Sequence, residues 1–339
     1  MRATGLLALA LGALAGCGDG GRAADQDAAS PQPVGRWRAV APLPVARYEA
    51  LALTLEGRVH FIGGIVDDPE RVQPGFESAR TDIYDPETDT WSVGPDLPEA
   101  APKHHLAGAV LDGKIYIASG FSGIIDGPPP GVFRPIAKTF VLEAEGWREL
   151  SEQPIARGGA TAQALDGKLY VAGGGITERG ALRDLQVYDP ATDRWSAAAP
   201  MPTERQHLAS CALDGKLLAL GGWFSETQQV LGAAELYDPI TDSWTAVDDV
   251  PTPRGGFAAA ALDGVCHTVG GESWHAGLPG TYGAHEAFEL ATQSWRVLPD
   301  LPQPRHGLGV AVIADTLYAV GGGPIRGNSY TTEVHAFRR

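Results

Sequence analysis

The sequence is poor in cysteine, and its cations are outnumbered by acids. Only 3 of its 339 residues are cysteine, and neither a CxxC pair nor a metal-type spacing occurs among them, which excludes a thioredoxin-like redox motif and a zinc ribbon. Lysine and arginine number 26 against 41 acidic residues, a formal net charge of −15. This balance argues against nucleic acid as a partner, because phosphate neutralisation dominates that affinity, and against a surface lying flat on anionic lipid.

Long apolar runs are also missing, apart from one at the N terminus that is typical of a targeting segment. Arg2 precedes an apolar stretch at 6–14, and the segment ends in Leu-Ala-Gly-Cys at Cys17. The stretch is too short for a transmembrane helix. Its ending resembles the lipobox of bacterial lipoproteins, in which the cysteine becomes the diacylated first residue of the mature chain. We predict a lipoprotein-type signal peptide at 1–17, with an ordinary cleaved secretory signal as the alternative.

Residues 18–34 consist largely of Gly, Ala, Asp, Ser and Pro, with almost nothing apolar. Such a segment cannot bury enough apolar surface to fold, so we expect a disordered tether. The expected location is the bacterial cell envelope, with the protein lipid-anchored and facing the periplasm or the cell surface. If Cys17 is not lipidated, we expect secretion.

Helical periodicity is absent after the signal. Instead, one sequence pattern recurs six times. It consists of a cation, an apolar strand, a Gly pair, a Tyr or Phe, and a Trp. The tryptophans are Trp37, Trp91, Trp147, Trp195, Trp244 and Trp295, at intervals of 54, 56, 48, 49 and 51 residues. This period is typical of a four-stranded propeller blade. In the third repeat, strands are predicted at 160–165, 168–173 and 185–188, with Asp166-Gly167 as a two-residue hairpin turn.

The recurring Gly-Gly, Tyr-Asp-Pro and Thr-Asp-x-Trp elements resemble the kelch motif over residues 37–337. The resemblance implies a β-propeller, a ring of four-stranded antiparallel sheets around a central channel. The last repeat lacks its Trp strand, while a surplus strand containing Trp37 precedes the first repeat. We therefore predict an all-β, six-bladed kelch-type propeller at 35–339, closed by the N-terminal strand around Trp37 joining the last blade. The repeated Gly, Tyr and Trp residues are expected to be structural.

Cys211 and Cys266 fall in strands of two neighbouring predicted blades. Face-packed sheets lie about 10 Å apart, which is too far for a disulfide. Two buried free thiols are therefore favoured, although export would permit a bridge.

Strand direction places the long loops between second and third strands on one face, the expected binding face. A cation sixteen residues before each Gly-pair position begins each innermost strand. These cations are Arg47, Lys103, Arg157, Arg205, Arg254 and Arg305. Around the channel mouth they would form an anion-attracting funnel. The alternative is a structural role, in which they bond loop carbonyls or pair with an acid of a neighbouring blade.

Specificity is expected where the repeat is broken, near the same mouth. These departures are Tyr48-Glu49, His104-His105, Trp223-Phe224 and Trp274-His275, with Phe121, Phe133, Tyr282 and Tyr330 as exposed rings. His207 and His306 lie beside the cations at the same mouth. Aromatic rings beside planar donors suit a sugar face or a peptide side chain. The histidines lie on different blades without an HxH or HExxH pattern, so we predict no metal and no cofactor.

Two functions remain open. Kelch propellers commonly serve as interaction platforms, which implies a monomeric binding module for a protein, a peptide, or an anionic or sugar ligand. The alternative is a carbohydrate-active enzyme of the sialic acid mutarotase or epimerase type. Some exported bacterial kelch propellers that act as sialic acid mutarotases resemble this chain in blade number and compartment. Its acid/base pair could come from Glu49, Glu226, Glu272 or a rim histidine. The sequence leaves any catalytic residue unassigned, because it contains no GxSxG motif or comparable signature.

Overall fold

The computed structural model describes residues 35–66, 76–124, 133–176, 180–224, 227 and 229–338. The predicted signal peptide with Cys17 and the predicted tether at 18–34 lie outside the described residues. Every regular element in the described ranges is a β-strand, and none of these residues belongs to a helix that could cross a membrane.

The strands form six blades, each an antiparallel sheet with four strands in radial order. From the channel outwards, the first three blades consist of Leu51–Leu55, Arg58–Ile62, Thr81–Asp85 and Thr90–Val93; His104–Leu111, Lys114–Ile124, Thr139–Glu143 and Gly146–Leu150; Thr161–Leu165, Lys168–Ala172, Leu185–Asp189 and Arg194–Ala198. The last three consist of Ala209–Leu213, Lys216–Leu220, Ala234–Asp238 and Ser243–Val247; Ala258–Leu262, Val265–Val269, His285–Glu289 and Ser294–Leu298; Gly309–Ile313, Thr316–Val320, Val334–Arg338 and Arg36–Ala39.

Short strands extend three of these blades on the long-loop face. They are Arg47–Tyr48, Ile65–Val66 and Phe76–Glu77 in blade one, Phe133–Pro135 in blade two, and Gly175–Ile176 and Gly180–Ala181 in blade three. The innermost strands of all six blades line a central channel of about 410 Å³. The predicted hairpin turn is confirmed, since Asp166 and Gly167 have φ of 47° and 72°.

The sixth blade confirms the predicted closure of the ring. Its outer strand, Arg36–Ala39, comes from the N-terminal end of the propeller and pairs antiparallel with Val334–Arg338, with Trp37 opposite Phe337. This pairing covers the edge that the last strand of the chain would otherwise leave open.

The hydrophobic core is divided into six clusters, each built from two neighbouring blades. All six repeat tryptophans donate their indole N–H to a carbonyl in the segment that ends the preceding blade, at 2.7–3.2 Å. Because an indole combines a large apolar body with one donor, each Trp both fills the wedge between blades and fixes their spacing. The tryptophans are therefore structural, as predicted.

The two propeller cysteines form a disulfide, so the expectation of free thiols is wrong. Cys211 lies in the innermost strand of blade four and Cys266 in the second strand of blade five, with their Cα atoms 5.9 Å apart. The sheet spacing of about 10 Å applies to sheets stacked face to face. Propeller blades instead converge towards the channel, which brings their inner strands within bonding distance.

Candidate functional site

The six repeat cations are buried, which overturns the expectation of an anion-attracting funnel. All five arginines are 0% exposed and Lys103 is 6% exposed. Three arginines pair with an acid in the third strand of their own blade: Arg47 with Asp82 at 2.7 Å, Arg205 with Glu235 at 2.8 Å, and Arg254 with Glu286 at 2.6 Å. The acids are in the same blade, and not in a neighbouring one as the structural alternative had it.

The other three cations bind within their own repeats. Arg157 donates to the carbonyls of Gly173 and Asp184, Lys103 donates to three carbonyls in the loop just before it, and Arg305 donates to the carbonyl of Ala319. None of the six presents a solvent-exposed charge at the channel mouth.

The backbone of each cation also joins two blades. Its carbonyl accepts the N–H of the second residue of the Gly pair in the preceding blade, at 2.7–3.0 Å, and the bond from Gly322 to Arg47 closes the circle from blade six to blade one. One residue thus fixes its own blade through the side chain and the previous blade through the backbone. Because each cation needs a Gly pair in the preceding blade, this double role explains why both elements occur in every repeat.

The residues that lie two positions after each cation form a second circle of backbone hydrogen bonds around the channel. We call these six residues the mouth ring. Its members are Glu49, His105, Gly159, His207, Gly256 and Gly307. Each N–H donates to the carbonyl of the preceding member at 2.7–3.2 Å, and the circle closes from Glu49 to Gly307. All six residues are left-handed, with φ between 52° and 62°.

Three members of the mouth ring carry a side chain, and these side chains converge. The ligand-type atoms of Glu49, His105 and His207 all lie within 4.8 Å of one another. Glu49 Oε2 is 3.6 Å from His105 Nε2, and the rings of His105 and His207 meet edge to face at 4.9 Å. Pattern spacing did not reveal this convergence. The available signal was that the same position is glycine in the other three blades.

Neighbouring side chains hold the two imidazoles in place. His105 Nδ1 lies 2.7 Å from His104 Nδ1, and the rings of Phe121 and Phe133 pack against His104. On the other side, His207 stacks on Trp223 with ring centroids 4.3 Å apart and planes inclined by 23°.

The structure corrects the expectation that Phe121 is an exposed ring, and it also buries Trp223, which the broken repeat marked as a binding residue. They are only 9% and 6% exposed, respectively. Each occupies the space above a glycine that follows the cation of the next blade, Gly158 or Gly255. They therefore form the supporting wall of the mouth rather than its outer surface.

His306 links the converging side chains to a second acid. Its Nε2 lies 3.2 and 3.1 Å from the carbonyls of Ile325 and Gly327, so this nitrogen carries the hydrogen. Its Nδ1 faces Glu49 Oε1 at 3.7 Å and Glu272 Oε1 at 3.5 Å. His306 therefore bridges two carboxyl groups at the rim.

Tyr48 is buried beside this bridge. Its ring meets His306 edge to face at 5.5 Å and Tyr330 at 5.4 Å, and its hydroxyl donates to Asn328 Oδ1 at 2.5 Å. Burial, reinforced by the charge of Glu49, raises the pKa of the Tyr48 phenol well above its ordinary value. Tyr48 therefore stays neutral and acts here as an ordered hydrogen-bond donor.

Burial and proximity set the charges at the mouth. Burial would raise the pKa of Glu49, but the imidazoles of His105 and His306 more than offset this and hold it below its ordinary value. Burial raises the pKa of Glu272 and lowers the pKa of His207 to about 3. Burial also opposes protonation of His306, yet the two carboxyl groups raise its pKa. The mouth thus presents a carboxylate beside a neutral imidazole, the reverse of an anion site.

A different surface lies on the long loops of blades five and six; we call it the loop patch. It consists of Trp274, Leu278 and Ile325, which are 39%, 44% and 70% exposed, together with Arg326. The Arg326 guanidinium lies 5.4 Å from the centre of the Trp274 ring. Of these four residues, only Trp274 was predicted from the sequence, because Arg326, Leu278 and Ile325 carry no distinguishing pattern.

Comparison with known proteins agrees with this architecture. Residues 137–271 match the profile of the KLHDC2/KLHL20/DRC7 Kelch-repeats domain. The chain contains a kelch-repeat β-propeller. The Kelch-like protein terF of Aspergillus terreus is 27% identical over 216 residues, covering 48% of this chain and 46% of terF. Human Kelch repeat and BTB domain-containing protein 12 is 28% identical over 177 residues, covering 48% of this chain and 28% of that protein.

This chain spans less than half the length of these curated relatives. Among solved structures, that of YjhT superimposes with a TM-score of 0.70, covering 88% of this chain and 99% of YjhT. The two sequences are 17% identical, so this likeness concerns the fold alone. In this kelch propeller the repeated residues account for the scaffold, whereas the three side chains of the mouth ring and the loop patch are particular to individual blades.

Proposed function

We propose that this kelch propeller is an exported, membrane-tethered binding module that takes a protein or peptide on its long-loop face. The observation that carries this proposal is the loop patch. Large apolar side chains exposed together mark interaction sites far better than single ones do. Aromatic residues and arginine are also the types enriched at the energetic centres of protein interfaces.

The shape of the loop patch supports a peptide or a protruding loop as ligand. A groove of about 460 Å³ runs between the loops of blades five and six, lined by 275–278, 280–281 and 324–326. Leu278, Ile325 and Arg326 line this groove, and the Trp274 ring lies beside it, in contact with the Arg326 guanidinium. An apolar side chain of the ligand can enter the groove while its backbone bonds to the guanidinium.

Selection from a displayed peptide library tests this proposal. The target is the full chain carrying Cys17→Ser. Peptides that bind it are measured against a Trp274→Ala/Arg326→Ala double variant. Because interface anchors contribute about 2 kcal/mol or more, we expect at least about a thirty-fold loss of affinity.

Exposed apolar residues away from the long loops provide the matched control, one on the outer strand of blade five and one in the outer turn of blade four. Val297 and Ile240 are 76% and 90% exposed, and a Val297→Ala/Ile240→Ala variant should bind like the parent. Equal binding by the loop-patch variant and the parent would refute the proposed site. A glycan array run on the same proteins would reveal a sugar ligand instead.

A carbohydrate-active enzyme of the mutarotase or epimerase type is the second candidate, favoured by Glu49 standing between two imidazoles. Opening and reclosing a sugar ring requires an acid and a base on either side of the anomeric centre. The buried repeat arginines cannot hold a sugar carboxylate, so this role would fall to an exposed arginine of the long loops, such as Arg326. Glu226, named earlier as a possible acid, lies outside the described residues.

Nuclear magnetic resonance of anomer exchange in N-acetylneuraminate and neutral sugars decides between the two candidates. Catalysed exchange that is lost in Glu49→Gln would establish the enzyme and overturn a purely binding role. Exchange at the uncatalysed rate, together with peptide binding at the loop patch, is the result we expect.

Tethering through Cys17 is a separate part of the proposal, supported by the lipobox-like sequence at the N terminus. A thioether-linked diacylglycerol would hold the propeller at a membrane. Cys17→Ser should move the protein from the membrane fraction to the soluble fraction of expressing bacteria. Unchanged membrane retention in this variant would rule out the lipid anchor.

A further inference from the structure

The mouth ring contains backbone strain that the repeat does not require. The left-handed backbone conformation carries no steric cost for Gly159, Gly256 and Gly307, but it costs about 1–2 kcal/mol for a residue with a Cβ. Glu49, His105 and His207 adopt it nonetheless, with φ of 53°, 52° and 53°. Strained residues of this kind cluster at ligand sites. These three also carry the converging side chains, so the strain and the convergence point to one site.

The geometry of the three side chains suits a metal ion. Their ligand atoms lie within 4.8 Å of one another, and Glu49 Oε2 is 3.6 Å from His105 Nε2. In a tetrahedral site with bonds of about 2.0–2.1 Å, ligand atoms are separated by about 3.3 Å. Side-chain rotations that bring the atoms up to about 1.5 Å closer would complete the coordination without moving the backbone ring.

The surroundings of the ligands are those of a metal site. Metal-binding histidines are oriented through their other ring nitrogen, and His105 Nδ1 contacts His104 while its Nε2 faces Glu49. His207 is held by its stack on Trp223, and its buried Nδ1 has no hydrogen-bond partner. A buried nitrogen without a partner calls for an explanation, and a bound ion supplies one.

We propose that Glu49, His105 and His207 bind one divalent transition-metal ion on the channel axis. Two imidazoles and one carboxylate favour Zn²⁺, Fe²⁺ or Co²⁺, whereas Mg²⁺ and Ca²⁺ prefer sets made of oxygen alone. Three protein ligands leave at least one coordination position open at the mouth. A water molecule or a donor atom of a ligand can occupy it. This inference is independent of peptide binding at the loop patch.

Calorimetric titration of the full chain with Zn²⁺ tests the site. The protein carries Cys17→Ser and no histidine tag, so that neither group can bind the ion. We expect one Zn²⁺ per chain, no heat from Mg²⁺ or Ca²⁺, and a Co²⁺ absorption spectrum showing nitrogen and oxygen ligation. Glu49→Gly, His105→Gly and His207→Gly should each weaken Zn²⁺ binding at least tenfold, and the triple variant should abolish it.

Glycine is the matched substitution, because the other three blades already carry it at this position. These variants remove a ligand and relieve backbone strain, so they should melt no lower than the parent in the absence of metal. Glu49→Gln, which keeps the shape of the side chain, is the second variant should a glycine variant fail to fold. His275→Ala removes an exposed histidine of a long loop and should leave binding unchanged.

Stoichiometric Zn²⁺ binding that survives in the triple glycine variant would overturn the proposal, as would its absence from the folded parent protein. Peptide selection at the loop patch is read without added metal, so either proposal can fail while the other stands.

Discussion

Removing a buried arginine from its acid should destabilise the whole propeller. Arg205 and Arg254 belong to neighbouring blades and are fully buried, and their partners Glu235 and Glu286 are 5% and 3% exposed. Truncating one member of such a pair leaves the other charge buried without compensation, at a cost of about 3–5 kcal/mol. The Arg205→Ala/Arg254→Ala double variant should therefore lose about 6–10 kcal/mol if the two costs add.

This loss is comparable with the entire free energy of unfolding of a typical domain, about 5–15 kcal/mol. We expect each single variant to unfold at markedly lower urea concentration, and the double variant to be largely unfolded at room temperature. Urea denaturation followed by tryptophan fluorescence measures both, because all six repeat tryptophans lie between blades.

Two controls separate the buried charge from other effects. Arg58 pairs with Asp85 on the surface, where its side chain is 51% exposed, and Arg58→Ala should cost only about 0–1 kcal/mol. Replacing both members of the buried pair, as in Arg254→Met/Glu286→Leu, should recover most of the loss. If Arg254→Ala is as stable as the parent and has lost only salt-sensitive anion binding, the structural role is refuted. The arginines would then act as the anion-attracting funnel predicted from the sequence.

Three further predictions concern the bridge, one histidine and the closing strand. Replacing Cys211 and Cys266 with alanine should lower the free energy of unfolding by about 4 kcal/mol, as loop-closure entropy gives for their separation of 55 residues, and reductant should then have no further effect. Burial beside His267 lowers the pKa of His285 to about 3. Below about pH 6.5 the unfolded chain therefore binds a proton that the folded chain does not. Stability should fall from about pH 6.5 towards 3, and His285→Phe should reduce that slope by up to about 1.4 kcal/mol per pH unit; an unchanged slope would show that His285 is not responsible. Trp37→Ala should cost about 3–5 kcal/mol and speed amide exchange throughout the last strand, and protection equal to that of the parent would argue against closure by this strand.

The sequence was sufficient to predict the blades because repetition averages out local ambiguity. Six copies of one strand pattern, with Asp-Gly turns and evenly spaced tryptophans, predict the topology even where single elements are weak. The surplus strand at Trp37 and the missing strand after Phe337 together predicted the closure correctly. These inferences depend on order along the chain, which the sequence contains directly.

Burial and convergence could not be predicted in the same way. Charge and position suggested that Arg47 and its five counterparts would face solvent. Each of the five arginines is instead held by partners distant in sequence, and Lys103 is held by carbonyls of the loop just before it. The Cys211–Cys266 bridge depends on how closely blades approach near the channel, a distance that no pattern encodes. Glu49, His105 and His207 lie far apart in sequence and meet only because they occupy equivalent positions around one axis.

The mouth ring also has a consequence for how this binding site could change. Its six bonds run from backbone to backbone, so the side chain at any member can be exchanged without loss of a bond that closes the ring. Each non-glycine member nevertheless lowers the free energy of unfolding by about 1–2 kcal/mol, whereas the total for a typical domain is about 5–15 kcal/mol. Filling all six positions would consume much or all of the stability of the fold. A propeller of this design can therefore vary which blades supply its central chemistry, but it must leave several of them as glycine.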